Sequence, residues 1–142
     1  MGTGLVERLG GAAQEAFADS PVVFCYLIGS VARSIRSGDD PARGNDIDLA
    51  VHCGQAPYDL LDLLGRIGTV QHVADREVDL VVLDDAPLRL VARALRDRIV
   101  LYSDDEPARV RYEDLYGRMA LDHALVAEPL DRELLAARAR ML

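Results

Sequence analysis

Three short apolar runs punctuate the chain. Val22 to Ile28 (VVFCYLI) is continuous and rich in β-branched and aromatic residues, and predicts a strand buried on both faces. Asp46 to His52 (DIDLAVH) and Glu77 to Leu83 (EVDLVVL) predict a second and a third strand. Ile99 to Tyr102 predicts a short fourth. Between them the apolar spacing turns helical. Leu5, Leu9, Ala12, Ala13 and Ala16 mark a helix over about Leu5–Phe17, weakened by Gly10 and Gly11 at roughly 1 kcal/mol each. Short helices are expected at Ser30–Ile35, Tyr58–Ile67 and Leu88–Leu95, the last opened by Pro87. Asp84 and Asp85 are expected to cap it. The segment from Ser37 to Asn45 (SGDDPARGN) reads as a loop. Two tail helices follow, over Pro107–His123 and Leu130–Leu142. Strands alternating with helices predict an α/β fold: a central sheet of about four strands flanked by helices, with a helical C-terminal tail.

Composition narrows the picture. The 142 residues fit one domain, with a core at about 20–103 and C-terminal helices at about 106–142. Tryptophan is absent and aromatics are few, so the core is expected to rest on Leu, Val, Ile and Ala. The formal charge of −8 argues against binding a nucleic-acid backbone, which needs clustered cations. It suits solubility or a basic protein partner. Cys25 and Cys53 lie in apolar runs without metal-ligand spacing and read as buried free thiols, with a single disulfide left open. Glu7, Arg8 and Glu15 interrupt the N-terminal segment, so it does not read as a signal peptide. No run is long enough to span a membrane. A cytoplasmic protein is expected.

The candidate chemistry lies where strands end. Asp46 and Asp48 alternate with Ile47 and Leu49, so both carboxylates point to one face. Side by side they repel, and a divalent cation resolves the conflict. Hard oxygen ligands suit Mg²⁺, which takes one or two carboxylates plus substrate phosphates. Asp79 sits among apolar neighbours, where an unpaired charge is expensive. Beside the Asp46–His52 strand it would complete a triad able to hold two ions. Gly29-Ser30 falls where the first strand stops and a helix starts. Free amides there suit a phosphate, and Arg33, one turn on, can reach its oxygens. Each element alone has a plainer reading. The Asp-x-Asp pair could be a solvated strand face, Gly-Ser a turn and helix cap, and Asp79 an edge-strand charge. The combination favours the phosphate-transfer site.

At these residues (LIGSVAR, NDIDLAV and EVDLVVL) the chain resembles the minimal nucleotidyltransferases of the DNA polymerase β superfamily. The likeness runs from about Val22 to the C-terminus. Within the superfamily it is most similar to the MntA-type antitoxins that accompany HEPN-domain RNase toxins. The resemblance implies a polymerase β-like fold and a Mg²⁺-dependent transfer of AMP from ATP to a tyrosine of the toxin. Two ions are implied, bound by Asp46, Asp48 and Asp79, with Gly29, Ser30 and Arg33 on the nucleotide. One feature departs from the pattern. Fifteen residues separate Ser30 from Asp46, against roughly ten in the family motif. The excess falls in the loop, where Arg36 and Arg43 could touch phosphates and Asp39 and Asp40 read as solvated. Two alternatives stand beside the enzyme. One is an antitoxin that blocks its toxin by binding alone. The other, a small-molecule nucleotidyltransferase, is disfavoured because only about forty residues follow the last strand. His52, His72 and His123 lack ligand spacing. Tyr112, Tyr116 and Met119 read either as a partner face or as packing back onto the sheet.

Overall fold

The computed structural model describes residues 2–39, 45–54 and 57–122. The expected helix at Leu130–Leu142, His123, and Asp40 and Arg43 of the loop lie outside the described residues. The elements are α1 (Gly2–Phe17), β1 (Phe24–Ile28), α2 (Gly29–Arg36), β2 (Ile47–His52), α3 (Leu60–Ala74), β3 (Val78–Val82), α4 (Leu88–Asp97) and β4 (Ile99–Ser103). A final helix, α5, covers 106–122. The strands form one mixed sheet in the order β3-β2-β1-β4. β1 runs antiparallel to β2 and β4, while β2 and β3 are parallel. Parallel neighbours need a crossover, and α3 supplies it.

Alternation along the strands sorts the core into two layers. On one face, Cys25, Leu27, Ile47, Leu49 and Val51 pack against α1 and α3 through Leu9, Ala13, Phe17, Leu63 and Val70. On the other, Phe24, Tyr26, Ile28 and Ala50 pack against Val91, Ala94 and Leu95 of α4 and Tyr112 of α5. α1 runs straight through Gly10 and Gly11, because the buried row Leu5, Leu9, Ala12, Ala13 and Ala16 outweighs their propensity. The core is more aromatic than expected. Phe17, Phe24, Tyr26, Tyr102 and Tyr112 are all buried, and Phe24 touches the rings of Tyr26, His52 and Tyr112. Tyr112 and Tyr116 therefore pack back on the sheet, while Met119 is exposed.

α5 is fastened by one carboxylate. Tyr26 Oη donates to Glu113 Oε2 at 2.8 Å, and Arg109 Nη1 donates to the same oxygen at 2.7 Å. Arg98 Nε stands 3.5 Å away. A hydroxyl buried in mid-sheet needs such a partner. Glu113→Ala is expected to lower unfolding stability by about 2 kcal/mol, because Tyr26 is left unsatisfied. Urea denaturation followed by circular dichroism measures it, with an unchanged m-value expected.

Candidate functional site

The first corner of the site is the β1–α2 junction. β1 ends at Ile28 and the helix starts directly at Gly29, one residue earlier than the sequence suggests. Ile28 is the N-cap residue and no side chain caps it. Amides at this helix start are thus left for an outside acceptor, and the helix dipole favours an anion. Gly29 has φ +79°, and a Cβ there would lie 2.2 Å from Asp48 Oδ2. Both the backbone and the neighbouring carboxylate demand glycine. Ser30 follows, half-buried.

The second corner is a row of carboxylates across two strands. Register pairs Ile28 with Asp48 and Asp48 with Asp79. Asp48 and Asp79 therefore stand beside each other on the α4 side of the sheet. Asp46 directly precedes β2. Burial pushes the Asp48 carboxyl above its usual range; Asp79 and then Asp46 push it further, and Arg33 opposes them. Asp79 itself is exposed. Val78 and Leu80 point to the other face and Val81 shares its own, yet Asp79 stays exposed, so burial does not explain its charge. β3 is an edge strand, and Asp79 lies exposed on its α4 face. Among the described residues no three His, Cys, Asp or Glu side chains form a ready-made metal cage. The donor chemistry nonetheless fits a hard cation. Two adjacent carboxylates repel in the Asp48–Asp79 row, and Mg²⁺ takes its remaining ligands from water and substrate phosphates.

The third corner is cationic. Arg33 Nη1 donates to Asp97 Oδ2 at 2.7 Å, with the Arg33 side chain 56% exposed and Asp97 buried. Arg33 thus ties α2 to α4, and its charge is felt at Asp48. Arg36 donates to the carbonyls of Asp97 and Arg98, so it anchors the end of α4 instead of standing free for phosphate. Sequence reading missed Asp97. The expected helix stops at Leu95; only with α4 running to Asp97 does an acid in the last turn oppose the dipole and call for a cation nearby.

A family model described as polymerase beta, nucleotidyltransferase matches residues 13–107, more than half of the chain and every corner of this site. The chain belongs to the polymerase beta nucleotidyltransferase family. Members generally use a nucleoside triphosphate and a divalent metal. No match is found among curated proteins. Among solved structures the chain is similar to a mutant of the toxin–antitoxin MntA-HpeT, with TM-score 0.66, 15% identity, and 92% of this chain and 98% of that chain covered. It is similar to a toxin–antitoxin with AMP-PNP, with TM-score 0.65, 16% identity and coverages of 92% and 98%. A third likeness is to the tri-AMPylated Shewanella oneidensis HEPN toxin in complex with MNT antitoxin, with TM-score 0.63, 15% identity and coverages of 98% and 99%. At this identity the three show the shared fold. It is the polymerase β-like α/β fold that the sequence suggests.

Other candidate chemistry resolves into structure. Asp84 does not cap α4, whose N-cap is Pro87 without a side-chain bond. It accepts instead from the Cys53 amide at 2.9 Å and lies 3.5 Å from His52 Nδ1. Burial raises its carboxyl, but His52 and the Cys53 amide outweigh that and hold it low. Cys25 and Cys53 are buried free thiols. Burial, then Asp84 and Asp85, push the Cys53 thiol up to about 11. Among the described residues no helix is long and apolar enough to cross a membrane.

Gly29→Ala is expected to destabilise the fold by about 1–3 kcal/mol, from the left-handed backbone and the displaced Asp48 carboxylate. Thermal unfolding measures it. The Asp48 carboxyl titrates higher in the folded than in the unfolded chain. In metal-free buffer the protein therefore loses stability as pH rises from about 4 through the folded value. Asp48→Asn cannot ionise. Its melting temperature is expected to exceed wild type by roughly 2–4 °C at pH 7, with the gap closing in acid.

Proposed function

We propose that the chain transfers AMP from ATP to a hydroxyl of a partner protein, a tyrosine of a HEPN-domain toxin, and so acts as its antitoxin in the cytoplasm. One observation carries the reading: the register that sets Asp48 beside Asp79 and closes Gly29 against the Asp48 carboxylate. The likeness to a tri-AMPylated HEPN toxin in complex with MNT antitoxin, and to a toxin–antitoxin with AMP-PNP, supports the acceptor and the nucleotide.

In this reading the amides at Gly29 and Ser30 cradle the triphosphate, and Arg33 spreads charge on its oxygens. Asp46, Asp48 and Asp79 would hold Mg²⁺, two ions at full occupancy, which neutralises phosphate charge and favours the attacking oxygen. Asp79, exposed at the sheet edge, meets the acceptor hydroxyl. The hydroxyl oxygen forms a bond to the α-phosphorus, the bond to the bridging oxygen breaks, and pyrophosphate leaves with that electron pair. The hydroxyl proton passes to Asp79 and on to solvent. Half-burial of Asp48 excludes water from one side of the row.

With α-labelled ATP, Mg²⁺ and the product of the neighbouring gene, label is expected on that partner. Asp48→Asn with Asp79→Asn is expected to lower the transfer rate at least about 100-fold. Absence of transfer from intact protein that still binds its partner sinks the enzymatic reading. The exposed Leu115, Met119 and Leu121 of α5 favour a second reading, neutralisation by binding alone. Full toxin neutralisation by the double variant at equal concentration would establish it.

A further inference from the structure

Asp97 is an acid in an unfavourable place. It closes the last turn of α4, where the helix dipole disfavours a negative charge, and it is buried. Stability alone does not ask for it there, since a buried ion pair can often give way to packed apolar residues without loss. Two cations attend it. Arg33 Nη1, from α2, donates to Oδ2 at 2.7 Å, and Arg96 Nε, from its own helix, stands 4.0 Å from Oδ1.

The clasp lies at the chemical end of the sheet. β4 opens at Ile99, opposite Leu27, so the end of α4 lies beside the β1–α2 junction. Arg33 follows Gly29 by four residues and shares its face of α2. Long helical side chains lean back over the preceding turn, and here that turn is the uncapped start of the helix. Asp48 feels the Arg33 charge, which draws its carboxyl down against burial. Among the described residues no other hydrogen bond holds the Arg33 guanidinium, and its side chain is more than half exposed. One nitrogen is pinned and the other donors remain for a ligand. Arg36, one turn on, fastens the same two helices by a different route, donating to the carbonyls of Asp97 and Arg98. The Asp97 carboxylate is thus reserved for the arginine nearer the site.

We propose that Asp97 is a positioning residue for nucleotide binding: it fixes the Arg33 guanidinium over the start of α2, ready for the phosphates of a nucleoside triphosphate. This rests on the reading that Gly29, Ser30 and Arg33 meet the nucleotide. An untethered arginine gives up rotamer freedom when it meets a phosphate. One already held by a buried carboxylate has given it up on folding, so more of the contact appears as affinity.

Calorimetric titration of the full chain with MgATP tests this. Asp97→Asn keeps the side-chain volume and is expected to weaken MgATP binding about tenfold, as Arg33→Gln is. Added to Arg33→Gln, the same substitution is expected to change the affinity less than about twofold, because the group it positions is gone. Arg36→Gln removes the other fastening. It is expected to lower the melting temperature, as Asp97→Asn does, yet to hold MgATP within about twofold of wild type. If circular dichroism shows Asp97→Asn unfolded, Asp97→Glu repeats the cycle: it keeps the charge, moves the carboxylate by one methylene, and is expected to weaken binding at least about threefold only while Arg33 is present. Unchanged or tighter binding by the Asp97 variant overturns the proposal, the tighter result marking Asp97 as a competitor of phosphate for Arg33. So does an equal loss in the Arg33→Gln background or in Arg36→Gln, either of which marks a purely structural clasp. Wild type that binds no MgATP overturns the nucleotide reading and this proposal together. Wild type that binds it as well as the Asp97 variant does overturns the role of Asp97 alone.

Discussion

The contact between Gly29 and the Asp48 carboxylate sets the terms for the rest of the site. A Cβ on residue 29 would fall 2.2 Å from Asp48 Oδ2, inside any real contact. That closeness half-buries Asp48 and starts α2 with no side-chain cap. It also brings the helix's positive end to the edge of a carboxylate row. The fold therefore holds charges of both signs at one strand end. Asp48, already raised by burial, is raised further by Asp79 and Asp46. A structure selected for stability alone would relieve this crowding with an apolar side chain. Its persistence is the usual signature of a site built for a ligand.

Everything else in the sheet keeps that end fixed. β1 is buried throughout and held on both sides by antiparallel partners, so Ile28 cannot drift. β3 joins parallel to β2 through α3, which sets Asp79 level with Asp48. Asp97 ties α2 to α4 through Arg33, and Glu113 ties α5 to β1 through Tyr26. The polar clasps join elements far apart in sequence, and each is centred on a buried or nearly buried acid. Rigid support of this kind is what positions groups for phosphoryl chemistry, where orientation and electrostatics do most of the work.

Local pattern was enough to read the eight elements from α1 to β4 and the helix after them. Each has its own period, and boundaries moved by a residue or two except at the start of α1, which begins three residues earlier at Gly2, and in α3. That helix runs on to Ala74, because Val70 is buried on the same stripe as Leu63 and Ile67. Gly29, Ser30, Asp46, Asp48 and Asp79 were legible as candidates because each breaks its local rule: a glycine at a strand end, acids in apolar strands. Asp97 was not, because its meaning lies in Arg33, 64 positions earlier in the chain. Asp84 was misread as a helix cap for the same reason, since its partner is the Cys53 amide.

The sequence by itself determined the α/β alternation, the glycine at the strand end, and the alternation that sets Asp48 opposite Ile47 and Leu49 on β2, since side-chain period and backbone sterics are local properties. Tertiary structure decided the parallel pairing of β2 with β3, which no local pattern encodes, and with it the placing of Asp79 beside Asp48. It also decided that Asp79 is exposed, on the edge strand of the sheet. It gathered Tyr26, Tyr112 and Tyr116 into one layer with Phe24, set Phe17 and Tyr102 in the other, and gave Arg33 a buried acid to lean on. Pairing and burial belong to contacts between distant segments, and only the folded chain creates them.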